Sequence, residues 1–316
     1  RKQWPPLCLI GRLLFLGYVL FLAALVVGEL QPVACRPKEA IYFWRVTPQG
    51  DSAIWYKPMV PALPARVFGS LTRQSKCIAC HTISLEGDRI AAIADGSNGP
   101  VYAMLLDGTP FNLPPITASY VALSPDGRSL AYAFEGKDIY ILDLSSGATV
   151  PLNGASEPDI TETMPAWSPD SQTIAFVRTH GEPNGYALTT PCDILTIPAA
   201  GGTPTLLPGA GGSGFSYYPA YSPDGNWLAF TGHTTGTSTR SDPQAEIFLV
   251  PSQGGEARRL AANDLPGGQP LVGASNSWDP DIIEKHMQQM NRALIDALAV
   301  SWWYDPQPDG PNHILD

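Results

Sequence analysis

The chain has 316 residues, a formal net charge of −10 and a pI of about 4.9. Phosphate recognition needs a basic face, so this balance speaks against a nucleic-acid partner. With 30 Gly, 32 Pro, 12 Tyr and 8 Trp, the composition favours many short strands and turns over long helices.

In chain order, the first feature is an almost unbroken apolar run from Leu13 to Gly28, extended upstream by Leu7 to Ile10. Its length suits one membrane-spanning helix near the short end of the range. Arg1, Lys2 and Arg12 precede the apolar core and Glu29 follows it. The positive-inside rule then places the N-terminus in the cytoplasm and everything after Glu29 outside. A cleaved signal peptide has the same charge layout. Because the segment is present in the chain, residues 1–30 read as an uncleaved anchor in a bacterial cytoplasmic membrane, with membrane lipid as its partner.

Five cysteines are present, Cys8, Cys35, Cys77, Cys80 and Cys192. They are too few and too scattered for a disulfide framework. Cys35 and Cys192 are available to pair, but nothing local demands it.

The stretch Ile41 to Trp55 reads as two strands around a turn. Next comes Cys77-Ile78-Ala79-Cys80-His81. Two thiols at this spacing reach the two vinyl groups of one haem, and the adjacent His meets the iron as proximal ligand. A zinc site wants a second Cys/His pair at ligand spacing, and no second Cys-x-x-Cys exists. A redox disulfide of the thioredoxin kind wants a βαβ context. The expected cofactor is one covalent haem c on Cys77 and Cys80, with His81 on the iron.

A self-similar unit then recurs. Ser124-Pro125-Asp126-Gly127 leads into Leu130-Ala131-Tyr132, and Ser168-Pro169-Asp170-Ser171 into Ile174-Ala175-Phe176. Ser222-Pro223-Asp224-Gly225 leads into Leu228-Ala229-Phe230. A degenerate copy, Ser84-Leu85-Glu86-Gly87, leads into Ile90-Ala91-Ala92. Proline pre-sets the first turn angle, Asp bonds its own backbone, and Gly accepts positive φ. A strand–turn–strand pattern follows each copy, as in Ile139–Gly147, Ile194–Gly202 and Ile247–Gly255. The unit is four short strands repeating every roughly 40 to 55 residues, a propeller-blade period.

Pro165-Ala166-Trp167-Ser168-Pro169-Asp170 and Pro219-Ala220-Tyr221-Ser222-Pro223-Asp224-Gly225 resemble the blade signature of the TolB-like family of WD-type β-propellers. The resemblance spans about residues 77 to 262. It implies an all-β propeller of four-stranded blades. Four full copies plus the Ile41–Trp55 half-blade predict five or six blades over residues 31–276. The resemblance leaves function open, because propellers are general scaffolds.

Residues 277–316 do not read as a blade. Ile282, Met290, Leu294, Leu298 and Trp302 fall at roughly helical spacing, so a helical tail is expected there.

Aligning Ser84 with Ser168 sets Cys80 opposite Met164 and His81 opposite Pro165. The haem motif then replaces the start of an innermost strand, beside the central channel. Loops linking the second and third strands open on the same face and carry His180 and His233. Met164, His180 and His233 are therefore the candidates for the sixth iron ligand. Met59 is a further one, and His286, Met287 and Met290 reach the haem only if the tail folds over it; His313 reads as surface. No catalytic residue is placed. The expected function is a membrane-anchored electron carrier outside the cytoplasm, with the other subunits of a respiratory or photosynthetic complex, or a soluble redox protein, as its partners. The competing reading is a structural or assembly subunit built on a propeller platform.

Overall fold

A computed structural model describes residues 40–46, 52–58, 66–67, 78–96, 98–180, 187–212, 214–233, 239, 245–260 and 297–301. All belong to the second of two units, Pro37–Asp316. The expected anchor over residues 1–30, Cys8, Cys35 and Met59 lie outside the described residues, as do Cys77, His286, Met287, Met290 and His313. Among the described residues no helix is long and apolar enough to cross a membrane.

Strands β1 (Ala40–Val46), β2 (Ser52–Pro58) and β3 (Arg66–Val67) begin the first sheet. Four blades of consecutive strands follow. They are β4 (Ile78–Ile83) to β7 (Thr117–Ala118), β8 (Val121–Leu123) to β11 (Thr149–Pro151), β12 (Ile160–Trp167) to β15 (Thr205–Leu206), and β16 (Phe215–Tyr221) to β19 (Arg258–Arg259). The second strands of these blades are β5 (Arg89–Ala94), β9 (Ser129–Phe134), β13 (Thr173–His180) and β17 (Trp227–His233). Within each blade the pairing is antiparallel. The expected four-stranded propeller blades are therefore present.

The helical tail is corrected in part. Ala297–Ser301, inside the stretch expected to be helical, forms strand β20. It pairs parallel to β1, with Ala40 opposite Ala297 and Trp44 opposite Ser301. Sheet order is β20-β1-β2-β3, so the half-blade is completed by the far end of the chain. Helical spacing over so short an apolar segment does not exclude a strand, and the open edge of β1 supplies the partner that decides it. The rest of 277–316 lies outside the described residues.

The serine of each repeat turn does more than start the turn. Ser168 Oγ donates to Asp170 Oδ1 at 2.5 Å and accepts the Thr173 amide at 2.9 Å. Ser124 does the same with Asp126 and the Ser129 amide, and Ser222 with Asp224 and the Trp227 amide. Ser84 uses Asp88 and the Arg89 amide. One hydroxyl thus ties the end of the innermost strand to the start of the second. In all four blades this fixes which side chains of the second strand enter the core.

The core lies between neighbouring sheets. Second strands are buried on both faces, as in β5 and β9, so they read as apolar runs without alternation. One cluster joins Ala40, Tyr42 and Ile54 of the first sheet to Ile78, Ile90 and Ala92 of the next blade. Another joins Ala131 and Ile139 to Ile174 and Phe176. Backbone bonds add to this packing: Gly202 N donates to Asn153 O and Gly255 N to Pro208 O, both at 2.9 Å. A buried ion pair sits in the third consecutive blade, where Arg178 meets the fully buried Glu162. Burial pushes the Glu162 carboxyl up, against the downward pull of the Glu157 amide and of Arg178.

Two predictions follow from this packing. Gly154 and Gly209 hold φ of +92° and +90°, and a Cβ on either would lie 2.0 Å from the carbonyl oxygen of Gly202 or Gly255. Gly154→Ala and Gly209→Ala should each cost about 1–3 kcal/mol or more in urea denaturation. Glu162→Ala strands Arg178 in a mostly buried position and should cost about 3–5 kcal/mol in the same assay.

Candidate haem-attachment and axial site

The described part of the Cys-x-x-Cys-His motif lies on β4, the innermost strand of its blade. A regular strand sends residues three apart to opposite faces. Here the pairing with β5 slips between Ala79 and Thr82, so Cys80 and His81 occupy a β-bulge. The expectation that the motif opens the strand is refined accordingly: Ile78 opens it, and Cys80 and His81 sit mid-strand.

The same irregularity recurs at the same register. It falls between Thr163 and Ala166 in β12, and between Tyr217 and Ala220 in β16. Met164 and Tyr218 stand at the Cys80 position in those blades, with φ of +51° and +52°. Non-glycine residues rarely take such values, and they persist only where the surroundings enforce them. In the blade that starts with β8 the matching residue is Tyr120.

These matched positions converge. The hydroxyls of Tyr120 and Tyr218 lie 3.2 Å apart and their rings 6.0 Å apart. The two residues belong to the second and fourth consecutive blades, so they meet across the innermost strand of the third. Met164, on that strand, is 3% exposed and lies in a cluster with Tyr217 and Leu188, against which Tyr120 packs. The register of Cys80 is therefore the axial register of the propeller.

His81 lies one position on. Its Nε2–H donates to the Tyr42 carbonyl of the first sheet at 3.2 Å. Its Nδ1 is buried and has no hydrogen-bond partner among the described residues. Burial holds its pKa down at about 4, against the upward pull of the Tyr42 bond, so the ring is neutral at pH 7. A neutral imidazole with one N–H on a backbone carbonyl and the other lone pair unclaimed is the form that ligates a metal. On this observation the residues present fit an iron ligand at His81.

The other candidates separate. His180 and His233 are the last residues of β13 and β17, paired with Ile160 and Phe215 at the openings of β12 and β16. They thus stand at the ends of second strands, beside the openings of β12 and β16, and not within the loops where the sequence placed them. The His180 side chain is exposed. Met164 is not on that rim but mid-strand and enclosed. Cys192 is a buried thiol, 2% exposed, with Sγ donating to Ser216 O at 3.5 Å. No group of three or more His, Cys, Asp or Glu side chains suited to a metal occurs among the described residues.

The tyrosine pair escaped the sequence reading. Its signal was available: Tyr120 and Tyr218 both stand four residues before a repeat serine, as Cys80 and Met164 do.

The fold is that of the TolB-like propellers. A putative TolB from Agrobacterium tumefaciens superposes with a TM-score of 0.52 at 21% identity, covering 73% of this chain and 83% of that one. TolB from Acinetobacter baumannii gives 0.48 at 17% identity, covering 70% and 55%. By sequence, the chain is 30% identical over 124 residues to the uncharacterized peptidase YuxL of Bacillus subtilis. That match takes in 39% of this chain, which spans only 16% of the length of the curated relative. No protein-family profile matches the chain.

Tyr120→Phe and Tyr218→Phe each keep the ring and remove the shared hydroxyl contact. Each should cost about 0.5–1.5 kcal/mol in urea denaturation, and the double variant should cost less than their sum. Strict additivity would show that the two hydroxyls do not interact.

Proposed function

We propose that this protein is an extracytoplasmic c-type cytochrome built on a β-propeller, anchored to a bacterial cytoplasmic membrane by residues 1–30. Cys77 and Cys80 hold one haem through thioether bonds, and His81 ligates its iron. The observation that carries this reading is the Cys-x-x-Cys-His motif, together with the neutral His81 ring and its unclaimed buried nitrogen. A bound haem c supplies reversible one-electron exchange. The chain's own contribution is to orient the proximal imidazole through the Tyr42 carbonyl and to keep it unprotonated. Such a bond fixes ring orientation and raises ligand basicity.

The sixth ligand is one of Met164, His180 and His233. A Met ligand raises the potential relative to His. Electron partners are other subunits of a respiratory or photosynthetic membrane complex, or a soluble redox protein. The acidic surface favours a basic one.

A second reading is supported by the likeness in fold to TolB and by the exposed Tyr218, which is 41% accessible beside the axis. In it the propeller is an assembly platform and carries no essential redox role.

Reduced-minus-oxidised visible spectra of the full chain, expressed with a haem-attachment system, separate the two. The expected result is a sharp c-type α-band and a chain heavier by one haem. Cys77→Ala with Cys80→Ala should abolish both. A haem-free chain under those conditions would sink the cytochrome reading and leave the platform. Among Met164→Ala, His180→Ala and His233→Ala, one should shift the midpoint potential or admit carbon monoxide.

A further inference from the structure

On the side of the propeller that carries the Ser-Pro-Asp turns, the spaces between blades are filled in different ways. Between the first two consecutive blades, Arg89 reaches across and donates to the Gly127 carbonyl. Between the next two, Trp167 donates its indole N–H to the Ala122 carbonyl at 3.0 Å, and Asp126 N meets Ser171 Oγ at 3.4 Å. Between the third and fourth, the residue at the Trp167 register is Tyr221, and its side chain makes no such bridge among the described residues. A cleft of about 500 Å³ opens there, within the range of small-molecule sites.

The lining of this cleft is chemically consistent. Tyr221, Thr196, Thr205 and Gln253 all face it. None of these side chains makes a hydrogen bond to a described residue, so their donors and acceptors are available. Asp170 and Asp224 supply carboxylates at the rim, and both are held below the usual carboxylate range. For Asp170 the main cause is the Ser168 hydroxyl, and for Asp224 the Ser222 hydroxyl. Burial, and then the Asp170 charge, push the Tyr221 phenol up to about 12, so it stays a neutral donor. No Lys, Arg or His lines the cleft.

We infer that this cleft binds a neutral saccharide unit. The hydroxyls of Tyr221, Thr196 and Thr205, the Gln253 amide and the second carboxylate oxygen of Asp170 offer donors and acceptors of the kind the hydroxyls of a sugar ring need. The half-buried Tyr221 ring offers an apolar flat beside them. An anion would meet two carboxylates and no counter-charge. A metal ion would meet carboxylates whose Oδ1 atoms already accept from Ser168 and the Gln172 amide, and from Ser222 and the Asn226 amide. The inference is independent of the haem reading, because it rests on other residues.

Isothermal titration and ligand-observed NMR of the full chain with cellobiose, maltose and N,N′-diacetylchitobiose test it. At least one should bind saturably, and Tyr221→Phe and Thr196→Val should each weaken it by about tenfold, the loss of one hydrogen bond. Both replacements keep the side-chain shape, so an unchanged melting temperature checks the fold. The inference is overturned if none of the three saturates, or if neither replacement weakens binding. It is overturned equally if digalacturonate binds as well as the neutral sugars, or if calcium chloride competes for the same site.

Discussion

One hydroxyl per blade organises this propeller. The repeat serine donates to the turn aspartate and accepts the amide that opens the second strand, so it sets the register of the innermost hairpin. In a strand, a slip of one residue exchanges core and solvent faces. Everything described above is a matter of register: the apolar second strands meeting between sheets, the bulge four residues upstream, and the convergence of Tyr120, Met164 and Tyr218 at the axis. The carboxylates of these turns look like a set of acids along the sequence. Asp126, Asp170 and Asp224 are each committed to their own turn, accepting from the repeat serine and from a turn amide.

Much of this architecture was legible from residue types alone. The Ser-Pro-Asp-Gly copies and the apolar triplets after them announced hairpins, and their spacing announced blades. The axial register was legible as well, because counting back four residues from each serine already placed Cys80 opposite Met164. The bulge was hidden, since it is a mismatch of register between two paired strands and not a local sequence signal. The fate of Ala297–Ser301 was hidden for a related reason. Whether five small and apolar residues coil or extend depends on an edge some 250 residues away, and local periodicity carries no trace of that edge. The cleft beside Tyr221 was the least visible feature. Trp167 and Tyr221 look interchangeable in the repeat, yet only the indole bridges to the neighbouring blade.

The two adjacent residues Cys80 and His81 face different demands. Cys80 stands in the register that elsewhere points three residues toward the axis. His81 stands in the register of Pro165 and Pro219, which are buried. A proline at that place has no donor to satisfy, so the fold tolerates it between blades. A histidine there brings two nitrogens into a poorly solvated seam, and the Tyr42 carbonyl answers one of them. The unanswered nitrogen has a cost in isolation that a bound metal would remove. Under the proposed haem assignment, stability and loading would be coupled at a single ring.

The pairing of β20 with β1 has a consequence for how the protein comes into being. Four blades are made of consecutive strands and can assemble as they are synthesised, each on the one before. The first sheet cannot. Its innermost strand, β20, lies about 250 residues downstream of β1, so β1 waits with an open edge until that segment has been translated. Closing a contact of such sequence separation is slow relative to local hairpins. During that interval the edge of β1 is available to other strands, including those of a second nascent copy. The first sheet is therefore where exchange of strands between molecules, or the intervention of a chaperone, would be decided.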